Sequence, residues 1–345
     1  MAAQSRFTTI TDIAKVVGVS PSVVSFVLNG SAGKAKRYCS QELRKKIIAA
    51  AQELNYIQSN VASNLKGRPR NLIAVLIPQF FNEFFTQMAL EIEVELEKEG
   101  YILSICNTFD DPKREAVIVK RMCEQRVDGI FMVPSPNSED FTLSLIKRGI
   151  PLVVMDRYFD RVKVGYHSIL TENYQSSEKA TLELINAAHK NLAFIDWTSG
   201  FGGLERRCQA FKDVIERFGL KDSALCLDGP LNEDTGYALT KQALEMKPDL
   251  EGFVFANHIH ARMGIKYLIE RGMIPGRDIS VSIVGAPKWA TSGLNNFTCV
   301  DLNGPLIGKR AAKLMLSIIK GEIEENKFVN EYVPCRLNHG NSIVI

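Results

Sequence analysis

Apolar residues recur at helical spacing over the first 65 or so positions of the chain, about the length of a small three-helix domain, and short apolar runs alternating with amphipathic stretches follow. Ile10, Ile13, Ala14 and Val17 lie on one helical face behind Thr9, which stands three residues before Asp12 in capping-box spacing. A helix is therefore expected over about 11–17. Gly18 can take the positive φ of a helix C-terminus, and Ser20 before Pro21 is an N-cap with proline in the first turn. The second helix has Val23, Val24, Val27 and Leu28 on its inner face, leaving Pro21, Ser22, Ser25, Phe26 and Asn29 outside. Ser40 caps a third helix over 41–54, where Leu43, Ile47, Ala50 and Leu54 close a small core. This is helix-turn-helix anatomy, in which the N-terminal end of the second helix enters the DNA major groove, although an ordinary αα-hairpin carries the same pattern. Ser59 can cap one further short helix with Val61, Ala62 and Leu65 on one face. A helix of about eight residues needs a partner to persist in water. If two copies meet over DNA, Val61 and Ala62 can pack across a dimer axis while Leu65 wedges into the minor groove.

From Leu72 the runs 72–77, 101–106, 129–133 and 152–155 read as buried strands, separated by helical stretches 83–98, 112–125 and 139–148. The alternation restarts after 165, with strands near 192–196, 223–227, 252–256 and 280–284. The expected fold class is thus α/β: a helix-turn-helix headpiece, then two doubly wound parallel lobes. Ligands of such sheets bind beyond the carboxyl ends of the strands. The segments there supply Asn107, Ser135, Asp156, Arg157, Asn257, His258 and Lys288 as candidate ligand-binding residues. Their polar side chains, with aromatic neighbours, suit a saccharide, which needs stacking surfaces and planar hydrogen-bonding groups; aromatic residues at strand ends also serve packing.

Charge sharpens the division. Residues 1–70 hold eleven Lys/Arg against three Asp/Glu, +8, and residues 71–345 hold thirty-one against thirty-six, −5. A basic module on an acidic body points to nucleic acid. Lys34, Lys36 and Arg37 in the loop after Asn29, and Lys66 with Arg68 and Arg70 in the linker, are placed to meet phosphates. At 345 residues, with 46% hydrophobic and 23% charged positions, the chain fits two or three globular domains. Seven widely spaced cysteines without a Cys-x-x-Cys pair indicate neither a disulfide framework nor a zinc site. With no apolar leader and no stretch of the ~18 residues that span a membrane, a cytoplasmic, nucleoid-associated protein without membrane contact is expected. Gly200-Phe-Gly-Gly-Leu-Glu205 has Glu where a dinucleotide fingerprint has its last glycine, and no Walker lysine or Gly-x-Ser-x-Gly occurs. Neither an enzyme nor any cofactor or metal is expected. The body alone resembles a periplasmic-type sugar-binding protein, but the absence of an apolar leader and the basic headpiece argue against that reading.

The elements Thr9-Ile10-x-Asp12-Ile13-Ala14, Gly18-Val19-Ser20, Val24-Ser25-x-Val27-Leu28-Asn29 and Tyr56-x-x-Ser59-x-x-Ala62-x-x-Leu65 resemble the headpiece and hinge of the LacI/GalR family of bacterial transcription regulators. The resemblance continues through Asn82-x-Phe84-Phe85, Asn107-Thr108-x-x-Asp111, Val127-Asp128-Gly129-Ile130, Asp156-Arg157, Arg207-x-x-x-Phe211 and Val281-Ser-Ile-Val-Gly285. It implies that Pro21, Ser22 and Phe26 read base edges, that Ser25 and Asn29 touch phosphate, and that Leu65 intercalates. Thr9, Ser20, Lys36, Arg37, Ser40, Ser59, Ala62 and Lys66 complete the expected DNA-binding set. In the body it implies that Arg207 binds effector hydroxyls or a carboxylate and that Phe84 and Leu231 line the pocket. The domains implied are a headpiece over 1–57, a hinge over 58–70 and a body over 71–345. The body's lobes are 71–165 with 303–330 and 166–302 with 331–345.

The expected function is a homodimeric regulator, a repressor by resemblance, on a pseudo-palindromic double-stranded operator, controlled by a small carbohydrate-like effector between the lobes. The alternative is a regulator of this fold that has lost small-molecule control. The C-terminal residues 341–345 are too short for a leucine-heptad tetramerisation helix. The chain also departs from the family pattern. Phe26 stands where polar or cationic readers are familiar, and the loop before Ser40 is long. Asn257-His258 replaces Asn-Asp, and Gly285-Ala286-Pro287-Lys288 replaces Gly-Phe-Asp-Asp. With Arg207, Lys288 and a protonatable His258 and no matching carboxylates, an anionic effector, a sugar acid or phosphorylated sugar, is expected.

Overall fold

A computed structural model describes residues 8–29, 39–57, 69–159, 165–197, 202–292, 296–324 and 327–345. The chain divides into two units, Met1–Arg70 and Asn71–Ile345. Lys36, Arg37, Ser59, Ala62, Leu65 and Lys66 lie outside the described residues.

The first unit holds three helices, α1 (Ile10–Val17), α2 (Pro21–Asn29) and α3 (Gln41–Glu53). The capping box at Thr9 is formed. Its Oγ1 accepts from Asp12 N at 3.3 Å, and Asp12 Oδ2 accepts from Thr9 N at 2.9 Å. Gly18 closes α1 at φ 75°, donating to Ala14 O at 2.9 Å. Ile13, Ala14, Val24, Val27, Ile47, Ala50 and Ala51 form the core, with Leu43 and Leu54 half-buried around it. The three inner faces expected from helical spacing thus meet.

The second unit runs β1 (Leu72–Ile77), α4 (Glu83–Glu97), β2 (Ile102–Asn107), α5 (Pro112–Glu124), β3 (Gly129–Met132), α6 (Glu139–Lys147), β4 (Leu152–Asp156) and β5 (His167–Thr171). It continues α7 (Asn173–Asn186), β6 (Leu192–Trp197), α8 (Gly202–Arg217), β7 (Ala224–Gly229), α9 (Glu233–Met246), β8 (Gly252–Phe255), α10 (His258–Glu270) and β9 (Ser280–Val284). Last come α11 (Lys288–Thr291), β10 (Thr298–Asp301), α12 (Gly304–Ile319), β11 (Asn330–Val333) and β12 (Arg336–Asn338). One sheet is ordered β11-β5-β4-β3-β1-β2 and is parallel throughout. The other is ordered β12-β10-β9-β8-β6-β7 and is parallel except for the edge strand β12.

Four strands were not signalled by periodicity: β5, β10, β11 and β12. Because β5 pairs with β11 in the first sheet, with Ser168 Oγ donating to Asn330 Oδ1 at 2.6 Å, the chain changes sheets after Thr171, after Asp301 and after Val333. The first and last changes fall a few residues beyond the 165 and 330 expected. The strands themselves are wrapped on both faces. Ile73, Val75 and Ile77 of β1 meet Met88 and Ile92 of α4 and Ile307, Ala311 and Met315 of α12 in one core. Phe253 and Phe255 of β8 sit in the corresponding core of the second lobe.

Candidate functional site

Between α1 and α2 the chain turns through 109°, within the 90–120° of a helix-turn-helix. Val24 and Val27 are buried against α1 and α3, which turns the opposite face of α2 outward. Ser20, Pro21 and Ser22 are exposed at its start, Phe26 is 43% exposed, and Ser25 is half-buried. Ser20 O accepts from Val23 N at 3.0 Å, so the helix begins at Pro21 and its first turn faces outward. Thr9 and Ser40 serve as caps. Ser40 Oγ accepts from Leu43 N at 3.3 Å. Asn29 closes α2.

The second candidate site is the cleft where the carboxyl ends of the two sheets face each other. Phe84, Asp156, Arg157, Arg207, Leu231, Asn257 and His258 all line it, together with Gln79, Glu83, Trp197 and Asp301. Arg207 projects from α8 and is buried. Its Nε donates to Asn173 Oδ1 at 2.9 Å, its Nη1 to Ala256 O at 2.7 Å, and its guanidinium lies 5.2 Å from the centre of the Trp197 ring. Burial lowers its pKa, and Asp156 and Asp196 oppose that. Arg157 follows β4; its Nη1 donates to Asp110 Oδ1 and, at 3.2 Å, to Pro134 O, and its Nε is 3.8 Å from Asp156 Oδ2. Asp156 sits at φ 63°, strained for a residue with a Cβ, and accepts from Thr171 Oγ1 at 3.0 Å. Burial raises its pKa, with Arg157 and Arg207 pulling it back.

Helix capping orients the remaining walls. Asn82 Oδ1 accepts from Phe84 N at 3.1 Å at the start of α4. Asn257 Oδ1 accepts from His260 N at 2.8 Å at the start of α10, which leaves its buried Nδ2 without a partner among the described residues. Glu83 Oε2 accepts from Lys288 N at 3.0 Å, tying the two lobes across the opening. The cavity is about 70 Å³ and adjoins a wider one of about 310 Å³ beside Phe81 and Trp289.

Three expected residues are not brought to this lining. Asn107 Oδ1 accepts from Phe109 N at 3.1 Å, Ser135 N donates to Glu115 Oε2 at 2.7 Å, and the Lys288 side chain is exposed. The electrostatics also differ from the cationic pocket that the sequence suggested. His258 is pushed down to about 4, by burial first and then by Arg207, so it is neutral at pH 7. The carboxylates of Glu83, Asp156 and Asp301 line the cleft with the two guanidiniums. Trp197, Asn173 and Asp301 were missed as site residues; Trp197 carries the same strand-end signal that found Asp156, whereas Asp301 ends β10, which periodicity did not signal.

Residues 70–338 match the family model described as periplasmic binding proteins and sugar binding domain of LacI family, and residues 9–59 match that of bacterial regulatory proteins, lacI family. The chain is 26% identical to the probable HTH-type transcriptional regulator EndR of Paenibacillus polymyxa over 350 residues, 98% of each chain. To the ribose operon repressor of Halalkalibacterium halodurans it is 30% identical over 261 residues, 75% of this chain and 74% of that one. The structure of the lac repressor dimer bound to operator and the anti-inducer ONPF superposes with a TM-score of 0.81 at 20% identity, covering 99% of this chain and 100% of that chain. With one family model on its helix-turn-helix and another across more than half of its length, the chain belongs to the LacI family of bacterial transcriptional regulators.

Proposed function

We propose that this regulator represses transcription as a homodimer on a pseudo-palindromic operator and that a neutral sugar between its lobes sets its affinity for that operator. The cleft lining carries the effector class. Two buried guanidiniums face three carboxylates, and Asn257 Nδ2 has no partner among the described residues. A polyol donates to carboxylates and accepts from Arg207 and Asn257 at once, whereas an anion would lie beside those carboxylates and would find Arg157 already paired with Asp110 and Asp156. Phe84 and Trp197 add apolar faces for a sugar ring. The unpartnered amide argues against a regulator that has lost its effector.

The ribose operon repressor among the relatives makes ribose the first sugar to try. Calorimetric titration of the full chain with ribose, glucose and ribose 5-phosphate is expected to find the tightest binding with a neutral sugar. A phosphorylated sugar binding ten times more tightly than any neutral one would overturn the assignment. The pocket of about 70 Å³ and its wider neighbour of about 310 Å³ are both walled by residues of the two lobes, Glu83 from one and His258 from the other, so a sugar held there bridges the lobes, which gives the effector a lever on their angle.

On the DNA side, Pro21, Ser22 and Phe26 offer few hydrogen-bonding groups, and Phe26 suits a thymine methyl. Specificity then leans on the hinge, with Leu65 in the minor groove and Ala62 against its copy, while Lys36, Arg37 and Lys66 meet phosphates at the nucleoid. Exposed Leu90 and Val94 on one face of α4, with exposed Ile102 and Ile105 on the edge strand β2, give the first lobe an apolar surface for a second copy.

A further inference from the structure

Cys208 on α8 and Cys226 on the edge strand β7 are free thiols whose sulfurs lie 3.0 Å apart, and both are half-buried. Among the described residues no other hydrogen bond joins two cysteines. Cys226 lines an open cavity of about 350 Å³ between α8 and β7, beside Lys212, and Cys208 behind it is only partly buried. Cys208 also follows Arg207 directly, and Arg207 bridges Asn173 and Ala256 in the cleft.

We propose that Cys208 and Cys226 are a peroxide-responsive thiol pair whose disulfide moves the start of α8 and with it Arg207. In the first step the Cys208 thiolate attacks a hydroperoxide. The O–O bond breaks, one oxygen stays on sulfur as sulfenic acid, and the other leaves with its electron pair and takes up a proton as alcohol or water. In the second, Cys226 sulfur attacks Cys208 sulfur and the sulfenic oxygen leaves as water with the Cys226 proton, so two thiols are oxidised and one peroxide is reduced. The surroundings suit these roles. Cys208 is lowered to about 7, first by the hydrogen bond from Cys226 and also by Lys212, against burial and Asp196, so thiolate is present at neutral pH. Cys226 is raised by the same hydrogen bond and by burial, and keeps its proton for the second step.

A disulfide is about 2.05 Å long, so closing it draws the sulfurs together by about 1 Å. The pull acts on a helix whose next side chain is held by contacts of 2.9 and 2.7 Å in the cleft. The effect on sugar binding rests on the effector reading above; the disulfide does not.

The test treats the full chain with hydrogen peroxide, alkylates it and maps the peptides. Two of the seven thiols should be lost into a single Cys208–Cys226 cross-link, reversed by dithiothreitol and absent in Cys208→Ser and Cys226→Ser. Seven alkylated thiols after treatment, or other cysteines linking first, would overturn the pair. Oxidation should also shift the emission of Trp197, read in a Trp289→Phe background, and weaken ribose binding by about tenfold or more, with neither change in Cys226→Ser. A cross-link that leaves Trp197 emission unmoved would overturn the coupling to Arg207, whether or not ribose is the effector.

Discussion

Arg207 shows how much one side chain depends on its frame. Its guanidinium spans from Asn173 at the start of α7 to the carbonyl of Ala256 after β8 and lies against Trp197. A lysine keeps the charge but is a single point donor on a flexible stem and cannot hold both contacts. Arg207→Lys is expected to weaken sugar binding by about 10–100-fold, about 1.4–2.8 kcal/mol, in calorimetry, with operator affinity in gel shifts unchanged when sugar is absent. Asp196, on β6 close by, carries a pH signature. Burial, opposed by the bond from Trp197 N, pushes its carboxyl from the ordinary 3.8 up to about 6. Between those values the folded protein holds the proton and the unfolded chain has released it, so the stability linked to this group falls as pH rises and is lost above pH 6. The shift corresponds to about 3 kcal/mol. His258, lowered to about 4, has the opposite slope over pH 4–6.5, but it is common to both proteins in a comparison with Asp196→Asn. The asparagine can still accept from Trp197 N and cannot ionise. Urea unfolding should therefore show Asp196→Asn gaining on the wild type from pH 4 to pH 7; a difference flat across that range would place the carboxyl near its ordinary value.

Between elements, the tightest reading concerns α9 and α10. A Cβ on Gly236 of α9 would sit 2.5 Å from His260 O and 2.6 Å from His260 Cα, backbone atoms of α10 that cannot swing aside. Gly236→Ala is expected to cost about 1–3 kcal/mol by denaturant titration, because the helices must separate. At this scale the sequence was legible where burial alone sets the pattern. β1, β3, β4, β6, β8 and β9 are predominantly apolar and buried on both faces, and each was found within a residue or two. β5, β10, β11 and β12 are three to five residues long and carry His167, Asp301, Asn330 and Arg336, so their pairing is decided by partners far along the chain. The site divides in the same way. Asp156, Arg157 and Asn257 lie at or just after strand ends and reach the cleft, but Asn107 and Ser135 obey the same rule and stay within the first lobe, Asn107 Oδ1 on Phe109 N and Ser135 N on Glu115. Strand order cannot say which loops reach across. Lys288 was read as a cation, yet it is its backbone N–H that meets Glu83, and the neutrality of His258 follows from burial that only the fold supplies.

Over the whole molecule, charge separates the two kinds of binding and offers a test of each. Residues 1–70 carry +8 and residues 71–345 carry −5, so attraction to DNA is confined to the headpiece and hinge. Two copies on one operator would neutralise many phosphates, each releasing counterions, and a protein with six to ten phosphate contacts loses about 10³–10⁵ in affinity between 50 and 200 mM salt. Operator affinity measured by fluorescence anisotropy is expected to fall by at least the lower of those factors. Sugar affinity should behave differently. A neutral ligand releases no counterions, and the two guanidiniums and Asp156 beside it are buried where salt screens little, so its dissociation constant should hold within about twofold over the same range. An anionic effector would couple to salt as the operator does, and a steep fall in sugar affinity would restore the cationic pocket inferred from Arg207, His258 and Lys288 in the sequence. Parallel titrations on the same protein thus decide the sign of the ligand without first knowing its identity.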